Sequence, residues 1–239
     1  MQTEKFEDLP ISRELRKAVK EVGFEAMTPI QAKAIPLILE GKDIIGQAQT
    51  GTGKTLAFGL PLLDSIHPNI RKTQAIVLCP TRELAVQVAE ELKRVLTYRR
   101  DVKVLALYGG QPIERQIHAL RAGAHVIIGT PGRTIDHINR GTLRIDAVKT
   151  AVLDEADEML NMGFIEDVET ILRRTPPERQ TLLFSATMPQ PILNLTRKYQ
   201  REPELVKVVQ RQLTVPHVKQ YYLGLREGIK VDVLCRLID

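Results

Sequence analysis

The run Ala48-Gln49-Thr50-Gly51-Thr52-Gly53-Lys54-Thr55 and the tetrad Asp154-Glu155-Ala156-Asp157 hold the residue types that handle a nucleoside triphosphate. A glycine-rich turn ending in Lys-Thr offers backbone N–H groups to phosphate oxygens, while its lysine reaches the β- and γ-phosphates and its hydroxyl binds Mg²⁺. The tetrad follows the apolar run Ala151-Val152-Leu153, so its first carboxylate stands at the end of a buried strand and can hold the same metal from the other side. Taken alone, the tetrad reads as an acidic helix start with Asp154 as N-cap. Together with the loop ending at Lys54, it reads as the second half of one triphosphate site.

Positioning these groups falls to a recurrent alternation. Short apolar, β-branched runs occur at Asp43-Ile44-Ile45, Ala75-Ile76-Val77-Leu78, Val104-Leu105-Ala106-Leu107, Val126-Ile127-Ile128, Ala151-Val152-Leu153 and Thr181-Leu182-Leu183-Phe184. Helix-period stretches such as Glu83 to Leu96 and Ile113 to Ala122 lie between them. Buried strands alternating with helices predict an α/β fold, a parallel sheet covered on both faces. The unusual residues all follow strands: the phosphate loop after the first, Pro80-Thr81-Arg82-Glu83-Leu84-Ala85 after the second and Gly109-Gly110 after the third. Thr130-Pro131-Gly132-Arg133 follows the fourth, the acidic tetrad the fifth and Ser185-Ala186-Thr187 the sixth. Ligands of open α/β sheets bind outside the carboxyl ends of the strands, so these segments form one functional edge.

Several of these residues have a plainer reading. Thr81, Thr130 and Thr187 suit helix caps, with Pro131 at a first helical position. Helix N-termini are also anion sites, and Arg82 and Arg133 beside two of them suit phosphate binding. Gln31, after Gly23-Phe24 and Thr28-Pro29-Ile30, would ordinarily be a solvated helix residue, yet a Gln amide can pair with adenine N6 and N7. Arg99-Arg100-Asp101-Val102-Lys103 reads as a solvated loop, and Met159, Met162 and Phe164 as core.

Composition bounds the partners. The chain has 239 residues, 43% hydrophobic and 26% charged, which is ordinary for a globular protein. No apolar run approaches the roughly 18 residues of a membrane span, and the N-terminus lacks a signal-peptide layout. Cys79 and Cys235 form no disulfide framework and fit a reducing cytoplasm, and the five histidines show no metal-ligand spacing. A net charge of +5 permits a nucleic-acid partner. With aromatics at 4% and no Trp, such a partner is gripped by its phosphates and sugars rather than by base stacking. Beyond the strand-like Leu205 to Val209, the polar Gln210-Arg211-Gln212 and Pro216 read as a linker. Val218 to Leu225 then suggests a strand, and Val231, Leu234, Leu237 and Ile238 one face of a helix. A lone strand and helix cannot bury a core, so this tail is expected to be the truncated start of a second domain.

In order, these segments resemble the DEAD-box RNA helicases, from Phe6 to the linker near Gln210, and Ala48 is the residue usual in that family where the strict loop pattern has Gly. The resemblance implies a RecA-like P-loop domain over residues 1–210, mostly parallel in its sheet, followed over 211–239 by a linker and the start of a second RecA-like domain. It implies ATP with Mg²⁺: Phe6 stacking on adenine, Gln31 selecting it, the loop Ala48, Gln49, Thr50, Gly51, Thr52, Gly53, Lys54 and Thr55 around the phosphates, and Thr55 with Asp154 on the metal. Glu155 would activate the attacking water, and Asp157 would link through Ser185 and Thr187 to domain closure. Pro80, Thr81, Arg82, Gly109, Gly110, Thr130, Pro131, Gly132 and Arg133 would line an RNA-backbone groove. The family's second domain carries a His-Arg-x-Gly-Arg-x-x-Arg segment, and this sequence contains no such run. The implied function is an RNA-stimulated ATPase that locally unwinds short duplexes, with this chain nearly inactive by itself. A DNA-directed helicase and a non-catalytic ATP-dependent RNA clamp remain open as alternatives.

Overall fold

The computed structural model describes residues 5–208, 221–225 and 227–238. The chain divides into two units, Met1–Val208 and Val209–Asp239. The first is built on seven strands: β1 (Ile44–Gln47), β2 (Ala75–Leu78), β3 (Val104–Leu107), β4 (Val126–Gly129), β5 (Thr150–Leu153), β6 (Gln180–Ser185) and β7 (Glu204–Lys207). Every pairing among these strands is parallel, in the order β3-β4-β2-β5-β6-β1-β7. Around and between the strands run α1 (Arg13–Glu21), α2 (Pro29–Leu39), α3 (Lys54–Asp64), α4 (Arg82–Arg94), α5 (Ile113–Arg121), α6 (Pro131–Asn139), α7 (Ala156–Asn161), α8 (Ile165–Arg174) and α9 (Gln190–Tyr199).

The near-continuous apolar strands follow from this layering, because side chains alternate between two covered faces. Ala75 and Val77 of β2, Val126 and Ile128 of β4, Val152 of β5, and Leu182 and Phe184 of β6 join a core with α1 to α4. Their neighbours Ile76, Leu78, Ile127, Ala151, Leu153 and Leu183 join a second core with α6 to α9. Each such Leu, Ile or Phe contributes about 1.5–3 kcal/mol on burial. Gly46 of β1 is required by this packing, since a Cβ there would run into the Phe184 ring.

Some residues depart from expectation. Asp43 lies just before β1, buried, and its carboxylate accepts from the amides of Thr181 (2.8 Å) and Arg201 (2.7 Å). It ties the starts of β1 and β6 together. The Arg99 side chain is half-buried rather than free in solvent: its guanidinium donates to the carbonyls of Leu63 (2.9 Å) and Ile66 (2.8 Å), at and just beyond the C-terminus of α3. Met159 is core and Phe164 packs against the core, but Met162 is exposed.

In the second unit a helix, α10 (Lys230–Ile238), carries Val231, Leu234, Leu237 and Ile238 as expected. Residues 221–225 form no strand, and 218–220, like the expected linker Gln210 to Gln212 and Pro216, lie outside the described residues. Among the described residues no helix is long and apolar enough to cross a membrane.

Candidate functional site

The strand order sorts the special segments in a way their chain order does not. At the carboxyl edge, the adjacent strands β5, β6 and β1 carry the acidic tetrad, Ser185-Ala186-Thr187 and the glycine loop. The adjacent strands β3, β4 and β2 carry Gly109-Gly110, Thr130 to Arg133, and Pro80 to Arg82. The two groups meet between β2 and β5, where the Asp154 amide donates to the Leu78 carbonyl at 2.9 Å.

In the first group the loop turns at Gly51 and Gly53, with φ of +77° and +90°. Gly53 is the N-cap of α3, so Lys54 and Thr55 stand at the start of a helix whose unpaired N–H groups and dipole favour an anion. A side chain at Gly53 would also collide with Gln31, whose amide donates from Nε2 to the Gly53 carbonyl at 3.0 Å. The same amide accepts from the Thr28 N–H at 2.8 Å through Oε1. Gln31 is therefore buried, not solvated, and fastens the start of α2 to the phosphate loop. One Nε2 hydrogen and one Oε1 lone pair remain, the donor and acceptor that adenine N7 and N6 require. Phe6 is 3% exposed, part of the hydrophobic core and tilted against Phe24 at 6.3 Å between centroids.

Lys54 Nζ and Asp154 Oδ1 face each other at 4.0 Å, both buried and neither with a hydrogen-bond partner. That separation exceeds a hydrogen bond. Two opposite buried charges left unsatisfied flank a position that a phosphate oxygen and a divalent cation would complete, so the residues present fit a metal-bound polyphosphate. Burial pushes the Asp154 carboxyl up to about 6, with Lys54 pulling it down and Glu155 pushing it further up. Asp154 is not the N-cap of α7. That position is Glu155, held at φ +54° in the left-handed region, which is costly for a residue with a Cβ.

Asp157 is tied to β6. Its Oδ2 accepts from the Thr187 amide (2.9 Å) and hydroxyl (2.8 Å), and its own amide donates to the Ser185 hydroxyl (3.2 Å). The Ser185 hydroxyl in turn donates to the Thr187 carbonyl at 2.7 Å. Burial disfavours the Asp157 anion, but the hydrogen bonds of Ser185 and Thr187 outweigh it and hold the carboxyl below its usual range. Thr187 thus serves this closed set rather than capping a helix.

In the second group Thr81 does cap α4, accepting from the Leu84 amide at 3.2 Å, and Pro131 opens α6. Thr130 stands at the N-cap of α6 without a side-chain capping bond. Pro80 and Pro131 are buried; Gly109, Gly110 and Gly132 are exposed. Arg82 is exposed and lies over the Tyr108 ring, 5.3 Å from its centroid. Gly110 sits at φ +82°, and a Cβ there would press on the Arg82 guanidinium, 3.1 Å from Nη1. Arg133 donates from Nη1 and Nη2 to the Gln111 carbonyl, each at 3.3 Å, and from Nη1 to Gln116 Oε1 at 3.4 Å.

Three residues here carry no motif signal. Glu91 on α4 lies beside the Thr55 side chain, and burial, opposed by Thr55, raises its carboxyl above the usual range. Tyr108 and Gln116 hold the two arginines. The strand-end rule could have pointed to Tyr108, since it directly follows β3; nothing in the helical pattern singles out Glu91 or Gln116.

Residues 28–195 match the DEAD/DEAH box helicase family. Over 234 residues the chain is 60% identical to the DEAD-box ATP-dependent RNA helicase CshA of Geobacillus kaustophilus, covering 98% of this chain and 50% of that protein. The corresponding protein of Bacillus subtilis is 56% identical over 234 residues, with 98% of this chain and 47% of that one covered. The crystal structure of a DEAD box protein from the hyperthermophile Methanococcus jannaschii superposes with a TM-score of 0.83 at 45% identity, covering 98% of this chain and 63% of that one. The chain thus spans about half the length of the curated relatives it matches.

Proposed function

The chain belongs to the DEAD/DEAH box helicase family, and from that premise we propose that it is the N-terminal, ATP-binding and RNA-gripping half of an ATP-dependent RNA helicase. The observation that carries the nucleotide reading is the unsatisfied pair Lys54 and Asp154 at the head of the glycine loop. Lys54 binds the β- and γ-phosphates, the loop amides from Gln49 to Gly53 cradle them, Gln31 reads adenine and Phe6 packs on it. Thr55 and Asp154 hold Mg²⁺, which when bound neutralises phosphate charge and fixes the geometry of the transferred group. Glu155, at the left-handed N-cap position of α7, orients and activates the attacking water. Asp157, Ser185 and Thr187 carry the state of that site to β6 and the segment after it.

Along the other half of the edge, Thr81, Arg82, Gly109, Gly110, Thr130 and Arg133 hold RNA by its phosphates and sugars. Pro80, Pro131 and Gly132 shape the backbone there. Such contacts are independent of sequence and weaken with salt. In the whole protein a second RecA-like domain, starting within residues 211–239, supplies arginines that stabilise the transition-state charge. Effects of that kind are worth about 10³–10⁵ in rate. The protein works in the cytoplasm, where its thiols stay reduced.

The test has two parts. Calorimetry of this chain is expected to give tighter binding of ADP than of GDP; equal affinities would remove the Gln31 assignment. ATP turnover is expected to be close to nil for this chain with or without RNA, and RNA-stimulated, rather than DNA-stimulated, for the whole protein. Strong RNA-stimulated phosphate release from the 239-residue chain would sink the division of labour between two domains.

A further inference from the structure

Gln116 is the one residue of α5 that is fully buried, at 3% exposure. A helix docked on a sheet ordinarily buries apolar side chains, and a buried amide without partners costs about 1–3 kcal/mol. Here every hydrogen-bonding position of the amide is filled. Nε2 donates to the Tyr108 carbonyl (2.9 Å) and, at 3.5 Å, to Gln111 Oε1. Oε1 faces His137 Nε2 (2.9 Å) and accepts from Arg133 Nη1 (3.4 Å). The Tyr108 carbonyl can only accept, which fixes which end of the amide is nitrogen. Oε1 must then accept from the ring, and His137 must carry its proton on Nε2. His137 is itself buried, and its Nδ1 meets the Thr142 hydroxyl at 2.9 Å.

The consequence falls on Arg133. A guanidinium has five N–H donors. The Gln111 carbonyl takes one from each Nη, and Gln116 takes the second from Nη1. What remains is Nε–H and the outer hydrogen of Nη2, which lie side by side and point the same way. That fork matches two oxygens of one phosphate.

We propose that Gln116, held by His137, is a positioning residue that aims the free Nε/Nη2 fork of Arg133 at a single backbone phosphate. The inference rests on the reading of Arg133 as an RNA contact. It adds a buried polar relay, α6 to α5 to the segment after β3, which makes Arg133 and Gly109-Gly110 one rigid unit. The relay explains why a polar side chain occupies the buried position of α5.

The test is binding of fluorescein-labelled single-stranded oligouridylate to this chain, followed by anisotropy between roughly 50 and 200 mM salt. Arg133→Ala is expected to weaken binding and to flatten the plot of log affinity against log salt by about 0.7, one phosphate contact on a single strand. Gln116→Leu, of similar volume, is expected to lose about threefold to tenfold in affinity and to flatten the plot likewise. Added to Arg133→Ala it is expected to cost nothing more, because the group it positions is already gone. His137→Phe is expected to behave like Gln116→Leu, while His137→Gln, which returns an N–H to the same place, restores binding. Should the leucine chain melt early in circular dichroism, Gln116→Met repeats the cycle with a more adaptable side chain. Additive losses in the double variant, or an unchanged salt slope for Gln116→Leu, would overturn the proposal. If Arg133→Ala itself leaves RNA affinity intact, the reading beneath it fails, and that outcome is distinct from failure of the relay alone.

Discussion

The two halves of the sheet's carboxyl edge use charge in opposite ways. On β5, β6 and β1 the decisive charges are buried and incomplete: Lys54 Nζ and Asp154 Oδ1 lack hydrogen-bond partners, Glu155 is held in a costly conformation, and burial raises the Asp154 carboxyl to about 6. On β3, β4 and β2 the charges are more open and already anchored, Arg82 on Tyr108 and Arg133 on Gln111 and Gln116. A ligand entering the first half must bring both the missing negative charge and a cation. A ligand on the second half needs only oxygens for donors that are already aimed. The first half should therefore respond steeply to pH and to single truncations, and the second gently, mainly through salt.

The largest expected effect follows from removing one member of the incomplete pair. Lys54→Ala should weaken ADP binding by about a hundredfold or more, in line with the roughly 2–5 kcal/mol lost when one side of a buried charge contact is truncated. Calorimetry checks it, and a loss below about tenfold would place Lys54 outside the phosphate site.

Next is pH. A carboxyl raised to about 6 when folded, against about 3.9 unfolded, holds its proton more tightly in the native state between those values. The unliganded chain should therefore lose stability from this group as pH rises from about 4 to about 6. A divalent cation must displace that proton, so the Mg²⁺-dependent part of nucleotide affinity should fall by up to about tenfold per unit below about pH 6. Oligouridylate affinity measured over the same range supplies the contrast, since its arginine donors stay charged throughout. Equal pH dependence for the two ligands would break the comparison.

Smaller still, Arg82→Ala should reduce RNA affinity about threefold to tenfold and flatten the salt plot by about 0.7, leaving ADP affinity unaffected. The smallest effect is on stability. Glu155→Gly relieves the left-handed backbone and should stabilise the fold by about 1 kcal/mol, or roughly 2–4 °C in Tm, while abolishing hydrolysis in the whole protein. A lower Tm would mean that the Glu155 side chain contributes more than its backbone costs.

Local pattern carries a large share of this architecture. Six of the strands follow from short apolar runs, the seventh from Leu205 to Val209 with a shift of one residue at its start, and the chemistry-bearing residues from their place just after those runs. What local pattern does not carry is which distant segments become neighbours. Periodicity says that β1 and β5 are buried strands, but not that β6 lies between them, so the division of the edge into two halves is invisible to it. Arg99 reads as part of a charged loop because its partners, the carbonyls of Leu63 and Ile66, leave no trace in side-chain type. Gln31 and Gln116 share that problem in reverse: an amide on a helix reads as solvated unless one knows that groups from other elements wait at both its ends.

The strand order has one more consequence. Neighbouring strands stand about 4.8 Å apart whatever their side chains, so the sheet acts as a ruler laid between the two sites. The ends of β1 and β5 are two intervals apart, about 10 Å, and the centres of the halves, β6 and β4, are three intervals apart, about 14 Å. Loop substitutions can retune either site, but none can slide them together or apart. A change in that spacing requires a strand inserted between these or one lost from between them, and insertions within the loops should leave the distance between the strand ends untouched.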